Sequence, residues 1–234
     1  MNNIKIKMKN ITKVFEIDNM ETHALRGLDL TIYDGDYISI SGPSGCGKST
    51  LLSILGLLDM PSSGTYHIEG DDVSQLSLAQ SARIRANKIG FIFQQFNLID
   101  ELTVFENIAL PLRYSEKQYS ESEIKQKVKK CLDSVEMSHR TNHYPHLLSG
   151  GQQQRIAIAR SLVADPAILL VDEPTGNLDS KNGDAIMDML ENLNNQGTTI
   201  CLVTHDPRYA DRAKSQYHLL DGRIEMVKSM LEAV

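Results

Sequence analysis

Tryptophan is absent from this 234-residue chain, and aromatic side chains make up only 6% of it. Cysteine is sparse: Cys46, Cys131 and Cys201 are scattered and odd in number. They form neither a disulfide framework nor a zinc spacing, as suits a reducing cytosol. Long apolar runs are missing as well. The longest near-apolar stretch, Leu51 to Leu58, is interrupted by Ser53 and Gly56, far short of the ~20 residues a membrane helix needs. With no charged, apolar, small-residue leader, the chain is expected neither to be secreted nor to span a membrane by itself. An excess of positive charge is lacking too. Thirty acids against 24 bases leave a net charge of −6, which argues against an overall field that draws nucleic acid but not against a local basic pocket. No repeat of 20–50 residues and no low-complexity segment is visible. What is present is 41% hydrophobic and 23% charged, ordinary globular usage in a chain long enough to bury its own core.

Hydrophobic patterning divides the chain into three stretches. Ile4-Lys5-Ile6-Lys7-Met8 and Leu28-Asp29-Leu30-Thr31-Ile32 alternate with period two, as half-exposed strands do. Asp34-Gly35-Asp36 turns the chain into the β-rich Tyr37-Ile38-Ser39-Ile40. A glycine-rich loop follows, then a predicted helix from Ser49 to Leu58, stopped by Asp59-Met60-Pro61 and Ser62-Ser63-Gly64. From about Asn97 to Arg160 the pattern is helical. Ile124, Val128, Cys131, Leu132 and Val135 share one face, with the charges of Glu121, Glu123, Lys125, Lys127, Lys129 and Lys130 on a solvated one. Ala167-Ile168-Leu169-Leu170-Val171 then reads as a strand buried on both faces. Helix-spaced Ile186, Leu190 and Leu193 come next, followed by the strand-like Thr198 to Val203. Strand and helix in alternation predict a parallel sheet wrapped by helices, with a helical insert between two α/β blocks. The tail from Met226 to Val234 reads as a short helix resting on its own domain.

Two motifs carry chemistry. Gly42-Pro43-Ser44-Gly45-Cys46-Gly47-Lys48-Ser49 satisfies G-x-x-x-x-G-K-[ST] between a predicted strand and a predicted helix. Backbone N–H groups must turn inward around an anion there, in conformations and at distances that a Cβ would obstruct. The helix start adds the positive end of its dipole. Lys48 is placed for the β- and γ-phosphates and Ser49 for Mg²⁺, with Thr50 beside them in the nucleotide-binding segment. Cys46 serves there as a small loop residue and not as a nucleophile. Much further along, Asp172 and Glu173 follow five apolar residues and precede Pro174. Sites of open parallel sheets form at the carboxyl ends of strands. Asp172 therefore suits Mg²⁺, and Glu173 suits a water-polarising base. His205, beyond Ile200 to Val203, belongs at the same edge as a γ-phosphate contact.

Leu148-Ser149-Gly150-Gly151-Gln152, followed by Gln153-Gln154-Arg155, lies between these motifs. It resembles the signature of the ATP-binding-cassette (ABC) ATPases, and the resemblance covers nearly the whole chain. It implies an α/β fold of the P-loop NTPase type: a mostly parallel central sheet, an N-terminal antiparallel β subdomain and a helical subdomain insert. Residues 1–234 then form one ABC ATPase domain, with the catalytic core and β subdomain at 1–96 and 161–234 and the helical signature subdomain at 97–160. By the same resemblance Ser149, Gly150, Gly151 and Gln152 meet the nucleotide held by a second protomer. Gln94 is the Q-loop glutamine for Mg²⁺ and γ-phosphate, and Phe15 stacks on adenine. Asp179 is the D-loop acid at the dimer interface, and His205 the switch histidine.

The segments Phe93 to Leu98, Leu102 to Asn107 and Asp172 to Asp179 look like the macrolide-efflux and lipoprotein-releasing type of cassette. That type works with a membrane permease and, through it, a periplasmic adaptor. Asp100 departs from the proline that relatives often carry, at the loop that meets the permease. One phosphate loop and one signature per chain imply a homodimer enclosing two MgATP, since a signature acting in trans cannot serve its own loop's nucleotide. The implied protein is a peripheral ATPase at the cytoplasmic face of the inner membrane, with no nucleic-acid partner. Two alternatives stay open: a division-associated regulator gating a cell-wall hydrolase, and a soluble DNA-repair ATPase. The latter is disfavoured by the absence of long coiled coils and of Cys-x-x-Cys.

Overall fold

The computed structural model describes residues 3–17 and 20–229. In chain order its elements are β1 (Ile4–Ile17), β2 (Met20–Tyr33), β3 (Tyr37–Ser41), α1 (Lys48–Leu55), β4 (Ser63–Ile68), β5 (Asp71–Asp72), α2 (Leu78–Lys88), β6 (Ile89–Ile92), α3 (Val104–Arg113), α4 (Glu121–Ser134), α5 (Gly150–Leu162), β7 (Ile168–Asp172), α6 (Ser180–Asn195), β8 (Ile200–Val203), α7 (Pro207–Ala210), β9 (Ser215–Leu220) and β10 (Arg223–Ser229). The chain forms two compact units, Met1–Ala82 with Asn194–Val234, and Arg83–Leu193.

In the first unit β1 and β2 form an antiparallel ribbon, with Ile6 opposite Ile32 and Met8 opposite Leu30. All four side chains are buried while Lys7, Asp29 and Thr31 alternate outward, which is the period-two pattern made physical. Strand β4 pairs antiparallel with the other edge of β1, and β5 with β4. A second set of strands has β3 parallel to both β8 and β9, with β10 returning antiparallel to β9. Ile38 and Ile40 on β3 and Ile200, Cys201 and Leu202 on β8 are buried.

In the second unit β6 runs parallel to β7, pairing Ile92 with Val171. Helices α3, α4 and α5 each open on a capping box: Thr103 with Glu106, Ser120 with Glu123, and Ser149 with Gln152. Each box satisfies a helix-start N–H and the cap residue's own N–H reciprocally. Helix α4 buries Ile124, Val128 and Leu132, while Glu121, Glu123, Lys125, Lys129 and Lys130 are exposed.

Three sequence expectations are corrected. Helix α1 ends at Leu55, short of Leu58, because Gly56 closes it by donating to the Leu52 carbonyl. Ser63 and Gly64 stand inside β4 and not in a turn, where Gly64 faces the Asn10 carbonyl at a bulge of β1. The tail from Met226 is strand through Ser229, since β10 finds a ladder partner in β9 that outweighs any local helical preference. Residues 230–234 lie outside the described residues.

Candidate functional site

In the first unit the loop from Gly42 to Gly47 leaves the carboxyl end of β3 and enters α1. Gly47 caps α1 at φ 107°, with no side chain capping the helix and no acid in its first turn. The N–H groups of that turn are therefore not spent on a cap, the condition for an anion site. A Cβ on Gly42 would lie 2.2 Å from the Leu219 carbonyl oxygen, and one on Gly47 2.6 Å from that of Ala24. Glycine is thus required by close backbone approach as well as by φ. Lys48 Nζ donates to the Gly42 and Pro43 carbonyls at 2.7 and 2.8 Å, which holds the ammonium over the loop. Ser49 and Thr50 follow in the first turn. Cys46 is buried, and its carbonyl accepts from the N–H of Gly222 at 3.1 Å.

Gly222 belongs to the β9–β10 turn, and its own carbonyl accepts from Arg26 N–H at 2.8 Å. The phosphate-type loop is thereby tied to β2 through a hairpin that the sequence reading did not use. Its signal was Asp221-Gly222, both at positive φ, the dipeptide of a tight hairpin turn.

His205 emerges just beyond β8. Because β3 and β8 are parallel neighbours, with Ile40 opposite Val203, it shares the sheet edge from which the glycine loop departs. Thr204 N–H donates to the Ile40 carbonyl and Asp206 N–H to Thr204 Oγ1, so the backbone on both sides is fixed. Phe15 lies on β1 with 38% of its surface exposed, which removes it from the core. The Lys13 ammonium sits 5.0 Å from its ring centroid, itself anchored on Asp59 and the Met60 carbonyl.

In the second unit the parallel pairing of β6 and β7 sends Gln94 and the Asp172–Glu173 pair out of the same edge. Asp172 and Glu173 are half-buried. Glu173 adopts φ 43° although it precedes Pro174, a conformation that a residue before proline avoids. Gln94 and Asn177 hold each other: Asn177 Nδ2 donates to the Gln94 carbonyl at 3.0 Å, and Gln94 Nε2 to Asn177 Oδ1 at 3.4 Å. A Cβ on Gly176 would stand 2.6 Å from Gln94 Nε2.

Helix α5 begins at Gly150, with Ser149 as cap. Gln152 N–H donates to Ser149 Oγ at 3.4 Å, and Ser149 N–H to Gln152 Oε1 at 3.1 Å. The Ser149 hydroxyl acts there as an acceptor, which leaves its proton for another partner. Gln152 has a local structural task in the same box. A Cβ on Gly151 would lie 2.9 Å from Asn182 Oδ1. Asn182 in turn donates through its backbone and side chain to the Asp179 carboxylate. The Asn182 backbone N–H above all, and then its side chain, hold Asp179 below the usual carboxylate range.

The structure thus gathers Phe15, the loop from Gly42 to Thr50, and His205 in one unit. Gln94, Asp172, Glu173, Ser149 to Gln152, and Asp179 belong to the other. Asn177, Asn182 and Gly222, which steady these groups, were not singled out from sequence. Asn177 in a loop, Asn182 in the first turn of α6 and Gly222 in a hairpin turn give no apolar periodicity to read.

Among the described residues no group of three or more His, Cys, Asp or Glu side chains could hold a metal by itself. The donors expected for a metal, one carboxylate on Asp172 with a hydroxyl on Ser49 and an amide oxygen on Gln94, fit Mg²⁺, a hard ion usually held by one or two carboxylates together with substrate phosphates.

Residues 25–176 match the ABC transporter family. The macrolide export ATP-binding/permease protein MacB of Bdellovibrio bacteriovorus is 47% identical over 220 residues, covering 94% of this chain but 33% of MacB. The chain therefore spans about a third of that relative. An uncharacterized ABC transporter ATP-binding protein of Methanocaldococcus jannaschii, MJ1508, is 47% identical over 219 residues, covering 94% of this chain and 97% of its own length. Among solved structures, the dimeric MJ0796 ABC transporter cassette superposes with a TM-score of 0.84 at 43% identity, covering 96% of this chain and 99% of that one. A post-hydrolysis dimer of MJ0796 bound to ADP and Pi gives 0.84 at 42% identity over the same shares.

Proposed function

The chain belongs to the ABC transporter family, and from that membership we propose that it is the ATP-hydrolysing cassette of a transporter, two copies closing around two MgATP to drive an integral-membrane permease. The observation that carries this reading is the start of α5. Helix α5 starts at Gly150 with Ser149 as its cap, and the Gln152 N–H is spent on that cap. The backbone of Gly150 and Gly151 ahead of it is the second place we assign to phosphate, in addition to the glycine loop. A small-molecule kinase with a phosphate loop has no use for it. The MJ0796 cassette, similar over 96% of this chain, is a dimer. The relatives named are transporter cassettes, which favours this reading over a regulator of a cell-wall hydrolase or a DNA-repair ATPase.

In this proposal Phe15 stacks on adenine. The backbone of Gly42 to Gly47 and the side chains of Lys48, Ser49 and Thr50 hold the phosphates. Ser49, Asp172 and Gln94 supply oxygens to Mg²⁺, which when bound neutralises charge developing on the phosphates. Glu173 orients and polarises the attacking water, and His205 steadies the γ-phosphate. Ser149, Gly150, Gly151 and Gln152 approach the nucleotide of the twin protomer, with Asp179 at the interface. Closure gains energy only from the intact triphosphate, so hydrolysis releases the dimer. The division into a core of residues 1–96 and 161–234 and a helical signature subdomain of residues 97–160 belongs to the same proposal.

MacB is named as a joint ATP-binding and permease protein, which supports a permease as the driven partner; a periplasmic adaptor reached through that permease is a further part of the proposal. No helix among the described residues is long and apolar enough to cross a membrane; a peripheral place at the cytoplasmic face of the inner membrane belongs to the same proposal. The test is affinity capture from detergent extracts alongside ATPase assays. Recovery of an integral-membrane permease that stimulates hydrolysis supports the proposal. Stimulation by DNA, with no membrane protein recovered, contradicts it.

A further inference from the structure

Gln154 lies in the second turn of α5 and is fully buried. Its Nε2 donates to two carbonyls from separate segments, Pro174 at 3.0 Å and Phe93 at 3.3 Å. Its Oε1 is buried with no hydrogen-bond partner among the described residues. The opposite orientation of the amide would set that oxygen against both carbonyls, so the two donated bonds fix which way the group points. A buried amide that leaves its acceptor unsatisfied carries a desolvation penalty. What this one gains in return is a bridge between two backbones.

Both carbonyls stand next to residues with a proposed role in hydrolysis. Phe93 precedes Gln94, and Pro174 follows Glu173. Glu173 is held at φ 43° in front of a proline, and a backbone in so sparsely populated a region persists only where its surroundings enforce it. The Gln154 bond to Pro174 is one such restraint. Its partner bond holds the carbonyl end of β6 just where Gln94 leaves the strand.

We infer that Gln154 is a positioning residue for hydrolysis: its amide sets the spacing between the Gln94 and Glu173 segments and couples both to the helix that carries Ser149, Gly150 and Gly151. The inference rests on the ATPase reading and on the roles proposed above for Gln94 and Glu173. It predicts an effect on turnover that is separate from nucleotide binding. Gln154→Met, similar in length and unable to donate, leaves the two carbonyls unbridged.

The experiment compares the parent, Gln154→Met and Gln154→Glu for Mg-ATP hydrolysis, ATP affinity and thermal midpoint. The expected result for Gln154→Met is kcat lowered about 10- to 100-fold, with KM for ATP and ATP affinity within about twofold of the parent. Gln154→Glu covers the case in which the methionine variant does not fold. Burial keeps its carboxyl protonated, and the single O–H donates to one carbonyl. As pH rises the carboxyl ionises and repels both, so kcat of the folded variant falls towards alkaline pH where the parent's does not. Parental kcat in Gln154→Met, or a flat pH profile relative to the parent in Gln154→Glu, overturns the inference. So does a loss of activity that only tracks the loss of folded protein in both variants. A parent that itself does not hydrolyse Mg-ATP refutes the underlying ATPase reading instead.

Discussion

Lys48 donates to two carbonyls of the loop it serves, so the ammonium is fixed by backbone and not left on a freely rotating stem. Replacing it with alanine removes the charge-assisted contact to phosphate proposed for it, and ATP affinity is expected to fall about 10- to 100-fold. Calorimetry with the folded variant checks this, and parental affinity would remove Lys48 from its role. The motif and its lysine were legible in sequence because the chemistry demands fixed residue types at fixed spacing. The reason each glycine is needed was not: the Leu219 and Ala24 carbonyls that exclude a Cβ come from β9 and β2. The cysteines give a second prediction at this scale. Burial pushes the Cys131 thiol up to about 11 and that of Cys201 to about 12. At pH 8 the thiolate fraction of each is then about one in a thousand or less. Iodoacetamide should leave both unmodified in the native protein and label both after denaturation, as read by mass spectrometry. Rapid native labelling of either contradicts that picture.

Among elements, α4 isolates what a cap contributes, because none of its residues has a proposed role in hydrolysis. Ser120→Ala removes the side-chain half of its capping box and should cost about 1 kcal/mol. Urea unfolding would show this as a lowered midpoint with ATPase activity unchanged. The backbone N–H and the hydroxyl of Ser120 hold the Glu123 carboxyl below its ordinary 4.5. A depressed folded value means that its stabilisation is complete above the unfolded pKa and is lost as pH falls through the folded one. Glu123→Gln should therefore reduce the acid sensitivity of the thermal midpoint below about pH 4.5, and an unchanged acid limb would count against the box. Helix α4 could be read from Ile124, Val128 and Leu132, since one periodic stripe meets the core. The β1–β2 ribbon was read only in fragments, because register shifts between Met8 and Ile11 break the alternation midway. The β9–β10 hairpin went unread for another reason. Its strands mix Gln216, His218, Arg223 and Glu225 with apolar residues, and only the pairing itself declares them.

For the whole molecule, each unit holds one of the two segments proposed to meet phosphate, the glycine loop in the first and the α5 start in the second. The order of the motifs along the chain already pointed to both. What sequence could not convey was how they are braced, through Gly222 on Cys46, Asn182 on Asp179 and Gln154 on Pro174. The Gly222 and Gln154 contacts join residues far apart in the chain, and the Asn182 contact, at the start of α6, leaves no periodic mark. The central claim is that two chains close head-to-tail on ATP and part when it is hydrolysed. It is tested most directly by light scattering on size-separated Glu173→Gln, with and without Mg-ATP. The variant should bind ATP, lose turnover, and run at twice the chain mass with Mg-ATP but as a monomer without it. A variant that binds ATP yet keeps the single-chain mass under every condition, with hydrolysis intact, would contradict the account.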